Sequence, residues 1–386
     1  MKLPVKARLT QDVYQILANV YGGDLERVLS AMAKPSPAYH LRVNTLKIEP
    51  ERLAERLRAK GLKVSKHPAI PEALLIPIEG PNQIPEYGKR VVVEKFTAES
   101  VMVGANVYVP GIVSFRGVKR GDLVLVVDPE GVVVGAGVAE ISEEEFHRQS
   151  KGLAVKVTHP AYRAPSFREL EEFKEGLLYP QSLPSMVTVR VLDPKPGETI
   201  VDLTCAPGGK LSHICQLTRN KASIYGFDRS QRKILETEET LRRLGCQAKL
   251  FPADSRYVDV DFPEVKADRV LVDPPCSALG VTPKLYDWKT AEEIFSLANY
   301  QKQFLKVASR IVKPGGIVVY SVCTMTIEEC EEVARFAVEE CRLKPDRQPL
   351  VLGSKGLPLF EGAELFQRFH PHLHGYGYFI ARFRKP

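Results

Sequence analysis

From about Tyr179 to the C-terminus, apolar runs alternate with segments of helical spacing. "TIVDLTC" precedes "GKLSHICQLTRN", and "ASIYGFD" precedes "QRKILETEETLRRLG". "AKLFPAD" and "ADRVLVDPP" follow, then a long helical pattern from about Ala291 to Val312, then "GGIVVYSVC" and a further helix after Met325. Runs that are apolar on both alternating positions, separated by helices, specify an α/β layer in which a mostly parallel sheet is covered on both faces. The final run, "GYGYFIARF", is expected to add an edge hairpin to that sheet.

The rest of the chain has a different texture. Residues 1–90 combine helical patterning ("VYQILANVYGGDLERVLSAMAK", "PERLAERLRAKG") with an extended "LRVNTLKI", which predicts a small α+β unit. Residues 91–165 are short valine-rich runs broken by glycine, among them "VVVEKF", "GDLVLVVDPEGVVVGAGVAEIS" and "GLAVKVTHP", which predict a small β-barrel. Residues 166–386 form the third unit. At 386 residues, 44% hydrophobic and 26% charged, the chain can bury a core in each.

Composition narrows the function classes. No run of eighteen apolar residues occurs and "MKLPVKARLTQDVYQ" lacks the apolar centre of a signal peptide, so a cytoplasmic protein without a membrane span is expected. Seven cysteines without a CxxC pair fit reduced thiols rather than a disulfide framework or zinc site. His370, His372 and His374 alternate in "FHPHLHGYG" without a carboxylate or cysteine at zinc spacing, so a loop packed beside the active site is expected, and no metal. A net charge of +7 leans weakly toward a polyanionic partner.

In "VDLTCAPGGKLSH" a strand runs into a glycine turn and then a helix, the place where doubly wound sheets bind ligands. Thr204, Cys205, Ala206, Pro207, Gly208, Gly209 and Lys210 make up that turn, and its two glycines are expected to let the backbone approach a ligand. Lys210 is followed by Leu211 rather than Ser or Thr, and the spacing is not GxGxxG, so a phosphate loop or dinucleotide site is disfavoured. Asp228 ends the next strand, suited to a ribose diol, and Asp254 ends the third, facing an adenine amine. Acids at successive strand ends repel phosphate but suit an uncharged ribose and a cationic sulfonium, which points to S-adenosylmethionine. Each acid taken singly is equally suited to capping a helix.

Two strands then deliver a thiol each. "LVDPPCSALG" places Cys276 after Asp-Pro-Pro, where aminomethylating enzymes carry an aromatic to stack on the base, and "GGIVVYSVCTM" ends on Cys323. An exocyclic amine attacks a methyl sulfonium unaided, whereas carbon 5 of a pyrimidine becomes nucleophilic only once a thiolate has added to carbon 6. Asp273 suits hydrogen bonding to the ring nitrogen and exocyclic amine, and Lys210 suits lowering a thiol pKa or orienting Asp273. Cys276 and Cys323 would divide the thiol roles, in an order the chemistry leaves open.

"CAPGGK", "DPPCSALG" and "SVCTM", in that order, resemble the Sun family of RNA cytosine-5 methyltransferases, and "LRVNTLK" and "QRFHPHLHGYGYFIA" resemble the family's N-terminal unit and final motif. The resemblance implies a Rossmann-like class I methyltransferase sheet, Cys323 as the nucleophile, and Cys276 as the thiol that assists release of the methylated RNA. The β-rich insert, through "GANVYVPGIVSF" and "VVVGAGVAEIS", resembles a PUA domain. A PUA insert at that place resembles the archaeal-type subgroup that methylates tRNA near the acceptor end.

Arg116, Lys119 and Arg120 in the barrel loop "RGVKRGD", and Tyr162 and Arg163 with Phe167 and Arg168 in "HPAYRAPSFR", are the candidate RNA contacts. A monomer acting on tRNA is expected. Three other readings compete: a ribosomal RNA methyltransferase, an amine methyltransferase, and a non-catalytic RNA-binding assembly factor, which would have no use for a thiol pair.

Overall fold

A computed structural model describes residues 6–386, and it divides them among the three expected architectures. The first is a four-stranded antiparallel sheet built on β1 (Ala38–Val43) and β2 (Ala73–Pro77), with Ser65–Lys66 at one edge. Its other edge is β3 (Leu178–Pro180), which pairs with β1 only after the chain has passed through the barrel. Leu41 and Val43 face the core of this unit, against Leu53 and Leu57 of the helix Pro50–Ala59. The period of two along a strand therefore turns Arg42 to the opposite face, toward the catalytic domain.

The barrel is a six-stranded sheet in the order 107–108, 153–160, 133–139, 123–127, 89–93, 112–114. Its core is valine-rich, as the sequence pattern requires, but is completed by Leu285 and Tyr286 from the third unit. The backbone N–H of Leu285 also donates to the carboxylate of Glu99 on the barrel's helix, at 2.9 Å.

The third unit is one nine-stranded sheet. Its parallel strands are β4 (Thr199–Asp202), β5 (Ser223–Asp228), β6 (Lys249–Pro252), β7 (Ala267–Val272) and β8 (Val312–Val322). The hairpin of β9 (Gln367–Phe369) and β10 (Tyr378–Arg384) adds to it antiparallel. In space the order is β6-β5-β4-β7-β8-β10-β9, followed by Ser354–Lys355, so β10 is flanked on both sides and the edge lies beyond β9. The expected edge hairpin forms, but its last strand is interior because β9 covers it.

Helices α1 (Leu183–Leu192), α2 (Gly209–Leu217) and α3 (Gln231–Leu244) cover one face. Helices α4 (Ala291–Ile311) and α5 (Glu331–Glu339) cover the other. Val270 and Val272 pack on one side and Leu271 on the other, which is why β7 reads as a continuous apolar run. Strand order reverses at β4, between β5 and β7, and a cleft opens there at the carboxyl ends of the strands.

Candidate active site

Cys276 follows β7 and Cys323 follows β8, so two neighbouring parallel strands bring their thiols to one rim. The Sγ atoms are 3.3 Å apart and both cysteines are free. The loops behind them are tied by Glu329, a fully buried carboxylate. It accepts from the Ser277 N–H at 2.8 Å and Gln301 Nε2 at 2.9 Å on one oxygen, and from the hydroxyls of Thr324 and Thr326 at 3.3 Å on the other. Gln301 also donates to the Pro275 carbonyl, and the Gly280 N–H donates to the Cys323 carbonyl at 3.0 Å. A Cβ on Gly280 would overlap the Gly377 carbonyl, so this close approach requires glycine.

The two thiols are not equivalent. Cys323 is lowered from the ordinary thiol range by its contact with the Cys276 thiol, with burial and the Asp273 charge opposing the effect and Lys210 adding to it. Cys276 is raised by the same contact with Cys323, by burial, and by the negative charge of Glu329. The contact therefore favours the thiolate at Cys323 over Cys276.

Asp273, the last residue before the two prolines, holds the centre of the site. Lys210 Nζ donates to its Oδ2 at 2.6 Å, while Ser321 Oγ at 2.6 Å and the Tyr378 hydroxyl at 3.0 Å donate to Oδ1. Burial works against the charge on Lys210, but Asp273 outweighs it and the amine is raised. At the end of β4, Asp202 is buried and its carboxyl is pushed up to about 7 by that burial.

In front of the strand ends lies a cavity of about 340 Å³, lined by Leu203, Thr204, Ala206, Asp228, Asp254, Asp273, both active-site thiols and the rings of Tyr300 and Phe304, among others. A second cleft of about 240 Å³ reaches Asp273 and Lys210 from the side of the N-terminal unit, past Tyr179, Gln181 and Pro207. Asp228 accepts the Ser230 N–H at 2.9 Å, and Ser230 rather than Asp228 is the N-cap of α3. Asp254 is both a cap and a cavity residue, its carboxylate gripped by Arg256 at 2.9 and 2.5 Å and lowered by that contact.

The glycine turn also packs closely against the protein's own side chains. Gly208 takes φ +94°, and a Cβ on it would press on the methyls of Thr237 and Thr240 at 3.2 and 3.3 Å. A Cβ on Gly209 would meet the Tyr179 ring at 3.1 Å. The left-handed backbone at Gly208 favours glycine there, and a side chain at either position would displace its neighbours by a few tenths of an ångström. The Cys205 side chain turns under Gly226 into the sheet core instead of facing the large cavity, and burial raises its thiol.

Of the candidate RNA contacts, Arg116, Lys119, Arg120 and Arg163 are exposed, with Arg120 paired to Glu145 at 2.6 Å. Tyr162 corrects the expectation: it is buried in the barrel core, its ring against Gly80, and Phe167 is buried in the N-terminal unit. An aromatic beside arginines reads as a base-stacking group, but here the strand end rolls it inward. His370 meets the Tyr21 hydroxyl at 3.0 Å and precedes a short helical turn, Pro371–His374, that packs on the N-terminal helices. Among the described residues no group of three or more His, Cys, Asp and Glu is placed to hold a metal, and no helix is long and apolar enough to cross a membrane.

Sequence reasoning missed Asp202, Ser321, Tyr378, Glu329 and Arg42. Asp202 carried a signal, an acid inside "TIVDLTC" at a strand end. Ser321 lies two residues before Cys323 on the strand and so shares its direction. The other three act across 52 to 170 residues of sequence, for which spacing gives no sign.

Comparison with known proteins accounts for all three units. The family model described as 16S rRNA methyltransferase RsmB/F matches residues 189–384, the PUA domain model matches 89–161, and a RsmF/B-like ferredoxin-like domain matches 13–82. A "tRNA (cytosine(72)-C(5))-methyltransferase" from Pyrococcus horikoshii is 40% identical over 97% of this chain and 96% of its own. The Homo sapiens "tRNA (cytosine(72)-C(5))-methyltransferase NSUN6" is 29% identical over 90% and 82%. The crystal structure of NSun6 from Pyrococcus horikoshii with SFG superposes with a TM-score of 0.90 at 39% identity, covering 99% of both chains. The thiol pair, the Asp273 cluster and these likenesses together make the chain a member of the RsmB/F family of RNA cytosine-C5 methyltransferases, in the form that carries a PUA domain.

Proposed function

We propose that the protein methylates carbon 5 of a cytosine near the acceptor end of tRNA, with S-adenosylmethionine as methyl donor. The observation that carries the reaction is the pair of thiols 3.3 Å apart beside the Asp273–Lys210 ion pair. The substrate reading rests on the relatives named for cytosine 72 of tRNA, to which this chain is similar over 97% and 83% of its length, and on its own PUA domain.

The cavity suits the donor. Asp228 and Asp254 offer acceptors to a ribose diol and a base amine, the Tyr300 and Phe304 rings offer an apolar wall, and acids at the strand ends favour a cationic ligand. SFG in the related crystal structure is an analogue of S-adenosylmethionine. When bound, the donor supplies an electrophilic methyl group.

The protein's own groups do the rest. Cys323 thiolate adds to carbon 6 of the cytosine, forming an S–C bond and moving the ring's electron pair to carbon 5. Asp273, steadied by Lys210, Ser321 and Tyr378, accepts hydrogen bonds from the exocyclic amine and from the ring nitrogen, which takes up a proton from solvent as the adduct forms and returns it as the adduct collapses. The electron pair at carbon 5 bonds to the methyl carbon as its bond to sulfur breaks, and S-adenosylhomocysteine is left. Loss of the carbon 5 proton to a base then restores the double bond and expels the Cys323 thiolate, with Cys276 assisting that release. Arg116, Lys119, Arg120 and Arg163 are proposed to meet RNA phosphates.

Labelled S-adenosylmethionine, offered with tRNA transcripts, tests the reading. Label is expected on the transcript with an acceptor-end cytosine and not on the same transcript with uracil there. Label on ribosomal RNA fragments in preference to any tRNA would overturn the substrate, and label on an exocyclic amine would overturn the chemistry.

A further inference from the structure

Arg42 is a cation buried in an interface with no carboxylate in direct contact, the charge of Glu72 reaching it only from a distance. It is fully inaccessible to solvent, and among the described residues it forms no salt bridge. Its side-chain hydrogen bonds run to α2 of the catalytic domain and to the residue that follows β3 at the edge of its own sheet. Nη1 donates to the Gly209 carbonyl and to Gln181 Oε1, both at 2.5 Å, and Nη2 donates to Ser212 Oγ at 2.6 Å. The guanidinium lies 5.2 Å from the centre of the Tyr179 ring, and Nε has no partner.

A buried arginine with no carboxylate contributes poorly to stability, and an apolar residue of similar volume commonly does better. The placement of the three bonds suggests what the charge is kept for. Gly209 and Ser212 bracket Lys210 on the first turn of α2, and Ser212 Oγ also donates to the Gly209 carbonyl at 3.1 Å. Lys210 in turn reaches Asp273 at 2.6 Å. Gln181 lines the second cleft beside Asp273 and Lys210. One guanidinium from the N-terminal sheet thus fixes both the turn that carries Lys210 and the wall facing it.

We infer that Arg42 is a positioning residue for the cofactor turn and Lys210, which makes the N-terminal unit a structural part of the methyl-transfer site. The inference rests on the proposed use of S-adenosylmethionine. It differs from a general packing role in what it moves: donor affinity and turnover, with RNA affinity spared.

The test compares wild type, R42K and R42M by calorimetric titration with S-adenosylhomocysteine, by kcat and by KM for tRNA, with thermal melting as the control for folding. R42M is expected to melt within a few degrees of wild type, bind S-adenosylhomocysteine at least tenfold more weakly and lose at least tenfold in kcat, with KM for tRNA within threefold. R42K keeps the charge but not the fork, and is expected to recover part of both losses. R42M with wild-type donor affinity and kcat would overturn the inference. So would an R42M whose losses in donor affinity, kcat and tRNA binding all track unfolding while folded R42K shows no deficit of its own. Should R42M fail to fold, folded R42K decides: weakened donor binding supports the inference and wild-type binding overturns it. A wild-type protein that binds no S-adenosylhomocysteine would instead count against the proposed donor.

Discussion

The sulfur of Cys276 lies 3.3 Å from the sulfur of Cys323, and the contact lowers the proton affinity of Cys323 while raising that of Cys276. Alkylation with iodoacetamide near neutral pH is therefore expected to label Cys323 first, because the thiolate is the attacking form. Peptide mass mapping against time reads the order. Faster labelling of Cys276 would contradict the assigned asymmetry.

Lys210 both orients Asp273 and helps to lower the Cys323 thiol. Lys210→Met removes a cation, so the thiol pKa must rise, and the rate at neutral pH is expected to fall by about 10². Part of that loss should return as pH is raised. A pH–rate profile for the variant that falls uniformly at every pH would show that Lys210 acts only through Asp273.

The alternation of strands and helices was legible because β4, β5, β7 and β8 are buried on both faces and so read as unbroken apolar runs. The two thiols were legible for a related reason: each stands at the end of such a run, and adjacent parallel strands end at the same rim. What could not be read is what crosses between units. The barrel's core is finished by Leu285 and Tyr286, far along the chain, and Asp273 is held by Tyr378 from the last strand. Tyr162 was misread because exposure depends on how a strand end rolls, which local composition does not record.

Glu329 joins both thiol loops through four donors while fully buried. Glu329→Ala leaves those donors unpaired and is expected to cost about 3 kcal/mol or more in stability. Glu329→Gln, which retains one oxygen, should cost about 1–2 kcal/mol. Urea denaturation of both variants measures this. Equal, small losses would mean that the loops are held by other contacts.

A second buried ion cluster joins the N-terminal unit to α1 and α2. His213 Nε2 lies 2.7 Å from Glu72, which also pairs with Arg190. Burial lowers the His213 imidazole to about 4, so the folded state resists its protonation. Burial alone would raise Glu72, but its bonds to His213 and Arg190 prevail and lower it. At His213 the unfolded chain binds more protons than the folded one between pH 4 and 6.5, so the His213 contribution to stability falls as pH drops through that window. The His213 share is about 3 kcal/mol by the size of its shift. Asp202, raised to about 7, works in the opposite direction, losing stability as pH rises. The comparison is therefore wild type against His213→Gln, in which the Asp202 contribution cancels. The variant is expected to lose less stability between pH 6.5 and 4 than wild type, and parallel pH curves would exclude His213 as a source.

The account stands on Cys323 as the group that bonds to carbon 6 and on Cys276 as the thiol needed for release. The most direct measurement is a denaturing gel of wild type, Cys323→Ala and Cys276→Ala after incubation with unmodified tRNA and labelled S-adenosylmethionine, run beside a count of methyl transfer. Cys276→Ala is expected to accumulate a covalent protein–RNA band, and Cys323→Ala to show neither band nor methylation. A covalent band in Cys323→Ala, or full methylation by that variant, would contradict the assignment.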